Sequence, residues 1–160
     1  PQPALAKPMI LDLLQQVHML KLSEEEAQWL FSTTNPEQIA QEYPQAGVLV
    51  TAGAQGCRYQ ISACSGHRDA FQVPVVDTTG AGDAFLAGFL HQCCARDVHH
   101  RGDFQEASLL SEMIRYASAV GALATIKPGA IASQPTAAEV QSFLDAHHRD
   151  SCRSSQLESS

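Results

Sequence analysis

Apolar positions along the chain recur with a period near 3.6 in some stretches and near 2 in others, and the alternation of the two divides it into helices and strands. Over residues 5–17, Leu5, Met9 and Leu13, with the neighbouring Ile10 and Leu14, fall on one face of a helix in which Pro8 is tolerable only near the first turn. Residues 17–21 read as a short buried strand. Ser23 and Glu26 then have the spacing of a capping box and predict a helix over 24–31. Asn35 before Pro36 predicts a second short helix over 36–42, with Asn35 as cap and Pro36 at the first helical position. The run 46–51 is strand-like and is ended by Gly53 and Gly56. Residues 57–61 alternate and 70–76 are rich in β-formers, which predicts two or three strands in a hairpin or meander.

The second half of the chain is mainly helical in pattern. A helix over 81–94 puts Ala84, Phe85, Gly88, Phe89 and Cys93 on a packed face, and Gly80 and Gly82 guard its start. A long pattern over 106–123 ends at the turn signal Lys127-Pro128-Gly129-Ala130. Thr136 and Glu139 announce a last helix over 136–147, and the serine-rich stretch 149–160 is expected to be a tail without structure. Strands alternating with helices imply an α/β fold in layers with a mainly parallel sheet, and ligands in such sheets sit at the carboxyl ends of the strands.

Composition narrows the function classes. The chain has 160 residues, enough for one domain, with 44% hydrophobic and 17% charged residues, and no apolar run long enough to span a membrane. A net charge of −7 argues against nonspecific nucleic-acid binding, which needs clustered cations. The five cysteines, including the adjacent Cys93 and Cys94, form no CxxC pair and suggest neither a disulfide framework nor a zinc site, so a cytoplasmic protein with reduced thiols is expected. The pairs His99-His100 and His147-His148 read as solvated rather than ligating. The first residues lack both Met and the order of a signal peptide and look cut from something longer.

The chemistry concentrates in Asp77-Thr78-Thr79-Gly80-Ala81-Gly82-Asp83. Amides in the first turn of a helix lack intrahelical partners and add to the positive end of its dipole, so Gly80, Ala81 and Gly82 are suited to hold an anion. A carboxylate in that same turn does not help passive phosphate binding, yet Asp83 is well placed to take a proton from an attacking hydroxyl. From the residues alone the alternative stands beside it: a glycine-rich helix cap made by Thr79, with Asp83 complementing the dipole.

This segment, continued by Ala84-Phe85 and by Ala87-Gly88-Phe89, resembles the signature of the ribokinase-like carbohydrate kinases, also called the phosphofructokinase B family. The resemblance runs in order from Leu20 to Leu144, and Leu20-Lys21-Leu22-Ser23-Glu24-Glu25-Glu26 is most similar to the fructokinases of that family. It implies a three-layer α/β/α fold, Asp83 as catalytic base, and Gly80, Ala81 and Gly82 as the anion hole. It also implies ATP contacts at Ser23, Thr51, Gly53 and Gly56, with Ala117 lining the adenine pocket. Glu26 resembles the acidic member of an Asn-x-x-Glu element that organises Mg²⁺ through water, with Ser23 where many relatives carry Asn. Asp77, Thr79, Ala124, Lys127, Gly129 and Ser133 resemble a loop system enclosing K⁺, mostly through backbone carbonyls.

By the same resemblance the substrate is a sugar, with fructose or a related hexose leading, and the full-length protein is a homodimer paired through a small β-lid. The sugar-contacting residues and lid of the family's N-terminal half are not in this sequence. The chain is therefore expected to be the C-terminal portion only, with 1–148 as the nucleotide-binding and catalytic part, able to bind nucleotide yet phosphorylate nothing by itself. A non-catalytic nucleotide-binding scaffold is the alternative. A dinucleotide-binding oxidoreductase fails on spacing, because the third glycine of its fingerprint would fall at Phe85.

Overall fold

The structure, a computed structural model, describes residues 3–157. Helix α1 (Pro3–Leu14) leads into strand β1 (Met19–Ser23), helices α2 (Glu24–Phe31) and α3 (Pro36–Glu42) and strand β2 (Gly47–Thr51). Strands β3 (Cys57–Ile61) and β4 (Cys64–Arg68) follow, then helices α4 (Ala81–Ala95), α5 (Ala107–Ala124) and α6 (Ala137–Leu157). The four strands form one sheet in the order β1-β2-β3-β4.

Side-chain alternation along β2 makes the layers. Val48 and Val50 point into a core with Leu20 and Leu22 of β1 and with Leu14, Ala27, Leu30 and Ile39 of α1, α2 and α3. Leu49 points the other way, into a core with Tyr59 and Ile61 of β3, Phe85 and Phe89 of α4, and Met113 and Ile114 of α5. One strand whose successive residues feed opposite cores requires helices on both faces of the sheet. A third cluster joins Ala84, Ala119 and Val120 to Val140 and Leu144 of α6. Close packing of α4 on α5 depends on Gly88, where a Cβ would lie 2.8 Å from Val120 Cγ2 and 3.1 Å from Ala117 Cα.

Four expectations differ from this arrangement. The sheet is not mainly parallel among the described residues: β1 and β2 pair parallel, whereas β2–β3 and β3–β4 are antiparallel. The short connections of the meander allow no crossover and so enforce antiparallel pairing. Residues 70–76 form no strand; Pro74 has no N–H to give a ladder, and the Val76 N–H donates instead to Thr125 O at 2.8 Å, tying the segment to the end of α5. The strand β4 comes earlier. Helix α1 turns the expected face outward, with Leu5, Met9 and Leu13 at 66, 73 and 59% exposure, while Leu14 is buried and Ile10 and Leu11 pack beside it. Pro8 lies inside that helix, at an exposed position where water can meet the carbonyl its ring leaves without a donor.

The backbone of α6 continues to Leu157, into the stretch expected to be a tail, and residues 158–160 of that stretch lie outside the described residues. No helix among the described residues is long and apolar enough to cross a membrane.

Candidate active site

The parallel pair β1 and β2 ends in register, with Ser23 beside Thr51, and both residues line a cleft of about 650 Å³. The Thr51 hydroxyl donates to Leu22 O at 3.1 Å, which locks the two strand ends together. The chain then turns through Gly53 and Gly56, both on the cleft wall, with φ of +52° and +90°. At Gly56 a side chain is excluded, because a Cβ would collide with the Arg68 carbonyl; at Gly53 the space is open. Cys57 also faces the cleft, and burial pushes its thiol up to about 12, so it stays protonated.

Across the cleft stands the start of α4. Its cap residue Gly80 is left-handed, with φ of +78°, and makes no side-chain capping bond. Ala81 gives its N–H to Thr78 O at 3.1 Å, and the Ala84 N–H bonds Gly80 O at 2.8 Å. The N–H groups of Gly82 and Asp83 have no protein partner among the described residues, and Ala81 and Gly82 line the cleft. Asp83 is exposed beside them, and its carboxylate makes no hydrogen bond or ion pair with the described residues.

The structure thus gathers Ser23, Thr51, Gly53, Gly56, Ala81 and Gly82 around one space. Glu26 stands apart from that lining. Its Oε2 accepts the Ser23 N–H at 2.7 Å while the Ser23 hydroxyl accepts the Glu26 N–H at 3.2 Å, a complete capping box. The carboxylates on the cleft wall are Glu24 and Glu25, and Glu24 is paired with Arg58. Ala117 is fully buried in the core against Gly88; the face of α5 that reaches the cleft carries Ser118, Gly121 and Ala122.

A second cluster forms where 77–79 meets the loop after α5. Asp77 accepts the Thr79 N–H at 2.9 Å and the Gly129 N–H at 3.0 Å. Hydrogen bonds from the Thr79 side chain first, then from the Gly129 and Thr79 backbones, lower the Asp77 carboxyl to about 2. The Ser133 N–H reaches Gly129 O at 3.2 Å. Ser133 is 2% exposed, and its hydroxyl has no hydrogen-bond partner among the described residues. Ala124 is buried in the core of α4, α5 and α6, and Lys127 pairs with Glu139 at 3.8 Å on the surface. No group of three His, Cys, Asp or Glu side chains able to hold a metal ion occurs among the described residues.

One cleft residue escaped the sequence reading. Lys21 lies on the cleft wall, and its Nζ is close enough to α4 that a Cβ on Gly82 would stand 2.6 Å from it. The signal was available, since Lys21 and Ser23 are two apart on one strand and share a face.

These features define a layered α/β protein whose ligand cleft opens at strand ends onto an uncapped helix start. Residues 1–137 match the pfkB family carbohydrate kinases, and the chain belongs to that family. It is 37% identical over 144 residues to fructokinase-1 of Zea mays, an alignment covering 88% of this chain and 43% of that protein. Among solved structures it resembles fructokinase from Vibrio cholerae O395 in its fructose, ADP and calcium ion bound form, with a TM-score of 0.76 and 29% identity over 89% of this chain and 46% of that one. Fructokinase from Xylella fastidiosa with bound ATP gives a TM-score of 0.76 and 30% identity, covering 84% and 44%. The chain spans less than half the length of these relatives.

Proposed function

We propose that residues 1–148 form the nucleotide-binding and catalytic portion of an ATP-dependent kinase for fructose or a related hexose. The observation that carries this reading is the α4 start, where the unpaired amides of Gly82 and Asp83 stand beside a free carboxylate. The amides stabilise charge on the transferring phosphoryl group, and Gly80 and Ala81 hold the turn that aims them. Asp83 takes the proton of the acceptor hydroxyl as that oxygen bonds to the terminal phosphorus and the bond to the departing ADP oxygen breaks. Ser23, Thr51, Gly53 and Gly56 form the nucleotide side of the cleft, and Ala117 backs its apolar wall from the core. The names of the solved relatives, with fructose, ADP or ATP bound, agree with this substrate pair.

The residues also fit the expected ions. Mg²⁺ is held through one or two carboxylates together with substrate phosphates and water, and neutralises phosphate charge when bound. Glu25, on the wall and without an ion pair, suits such a loose site directly, and Glu26, whose carboxylate also accepts the Ser23 N–H, would act through water. For K⁺, the unpaired and buried Ser133 hydroxyl beside the Asp77, Thr79 and Gly129 junction is the supporting observation, with the carbonyls of Ala124 and Lys127 as further donors. A cytoplasmic setting accords with the free thiols of Cys57, Cys64, Cys93 and Cys94.

Calorimetric titration of the chain with ATP, ADP and NAD, with and without Mg²⁺ and K⁺, tests the reading. Binding of ATP and ADP strengthened by Mg²⁺ is expected; binding of NAD alone would overturn it.

A further inference from the structure

We infer that Phe143 and His147 of α6 are positioning residues for the apolar wall of the cleft and act through Phe71; this rests on the nucleotide-binding reading above. Residues 70–76 run from the end of β4 toward the α4 start and supply Phe71, Val73 and Val75 to the cleft wall. They form neither helix nor strand, and among the described residues 70–75 make no hydrogen bond. The stretch is first pinned at its far end, where the Val76 and Asp77 N–H groups both donate to Thr125 O. Before that point it is held by packing, and Phe71 is where it is gripped.

Three side chains hold that ring, and none of them lines the cleft. Phe143 and His147, one turn apart on α6, meet it edge-on, with ring centroids 5.0 and 5.1 Å away and interplanar angles of 69° and 80°. Arg115 of α5 places its guanidinium carbon 5.8 Å from the Phe71 centroid, over the ring, while its Nη2 donates to Leu144 O at 3.2 Å. Phe143 and His147 fix each other: their centroids are 4.1 Å apart, and His147 Nδ1 donates to Phe143 O at 2.9 Å. Phe71 is thus on the cleft wall and at the same time packed against the cluster of α4, α5 and α6. Three of the four large apolar side chains in that lining, Phe71, Val73 and Val75, belong to this one segment, and Phe85 is the fourth. Such a surface suits the heterocycle of a nucleotide rather than its phosphates, so a helix behind the cleft sets how well that part is received.

A double-mutant cycle separates positioning from a general loss of structure. ATP is titrated calorimetrically into the wild-type chain, His147→Ala, Phe71→Ala and the variant carrying both, with circular dichroism and thermal melting confirming that each is folded at the titration temperature. His147→Ala is expected to weaken ATP by roughly 3- to 10-fold, because one edge contact on the Phe71 ring is lost. In the Phe71→Ala background the same change is expected to add no more than about twofold, since the ring through which it acts is gone. His147→Phe keeps a ring against Phe71 and is expected to bind ATP within about twofold of wild type. Phe143→Leu keeps the bulk and removes the ring, and it carries the same expectation as His147→Ala should the alanine variant lose its fold. An equal effect of His147→Ala in the two backgrounds overturns the proposal, as does a His147→Phe variant as weak as His147→Ala. Wild type that binds ATP while folded His147→Ala and Phe143→Leu bind it equally well overturns the positioning role and leaves the nucleotide reading standing. Wild type that binds no ATP overturns both.

Discussion

Helices α2 and α4 both begin at the same cleft, and their first turns are finished in opposite ways. In α2 the Ser23 and Glu26 side chains close a reciprocal box over the backbone, so its start satisfies itself. In α4 the cap is a glycine with nothing to offer, and the donors of Gly82 and Asp83 remain open. Both starts carry acids in the first turn, Glu24, Glu25 and Glu26 in one and Asp83 in the other. Acidic residues and a dipole are common to both starts; what distinguishes them is the side-chain cap, which α2 has and α4 lacks. The two helices divide the work, one holding the cleft wall in place and the other presenting donors to whatever enters.

That contrast can be broken from either side. The largest effect is expected at Asp83: with the protein assembled so that sugar phosphorylation is measurable, Asp83→Asn should lower kcat by about 10²- to 10⁴-fold while ATP still binds, since it removes only the proton acceptor. Near-normal kcat would return Asp83 to the role of a dipole partner. Next comes Gly80→Ala, which forces a side chain into the left-handed region at φ +78° and sets its Cβ 2.8 Å from that of Ala130. A loss of about 2 kcal/mol is expected, a fall in Tm of roughly 4–8 °C by thermal melting.

Ser23→Ala, on the self-capped helix, should cost less, about 1 kcal/mol, because it removes one capping bond without strain. If it costs more than Gly80→Ala, the comparison between the two starts is misdrawn. The smallest effect belongs to Asp77 and shows only in acid. Its folded carboxyl is depressed from 3.8 to about 2, so its contribution is complete above pH 4 and is lost as pH falls toward 2. Stability measured against pH should decline through that window in the wild type and more shallowly in Asp77→Asn.

Sequence patterns resolved the parts of this fold that rest on local bonds. The caps at Ser23 and Asn35 predicted α2 and α3 to the residue, because each cap and its partner lie within one turn. The Gly80 to Asp83 segment was legible because a helix start needs only neighbouring residues. Features set by distant contacts were not. Strand β4 has Ser65, Gly66 and His67 exposed and so shows no apolar alternation; it is a strand because β3 lies beside it. The face of α1 that is buried was chosen by the cluster around Ile39 and Val48, not by its own pattern. Ala117 and Ser118 are neighbours on one helix, and only the packing of α4 decides which of them meets the cleft.

The junction at Asp77 has a consequence for how the chain is tied together. One carboxylate bonds the backbone of its near neighbour Thr79 and of Gly129, 52 positions away. Everything between, including all of α4 and α5, is thereby closed into a loop whose clasp sits immediately before the α4 start. Opening such a clasp frees only the two loop ends, because α4 and α5 stay packed on each other through Phe85, Phe89, Met113 and Ile114. The orientation of the Gly82 and Asp83 donors is thus governed from the far end of α5 as well as from the turn that precedes them.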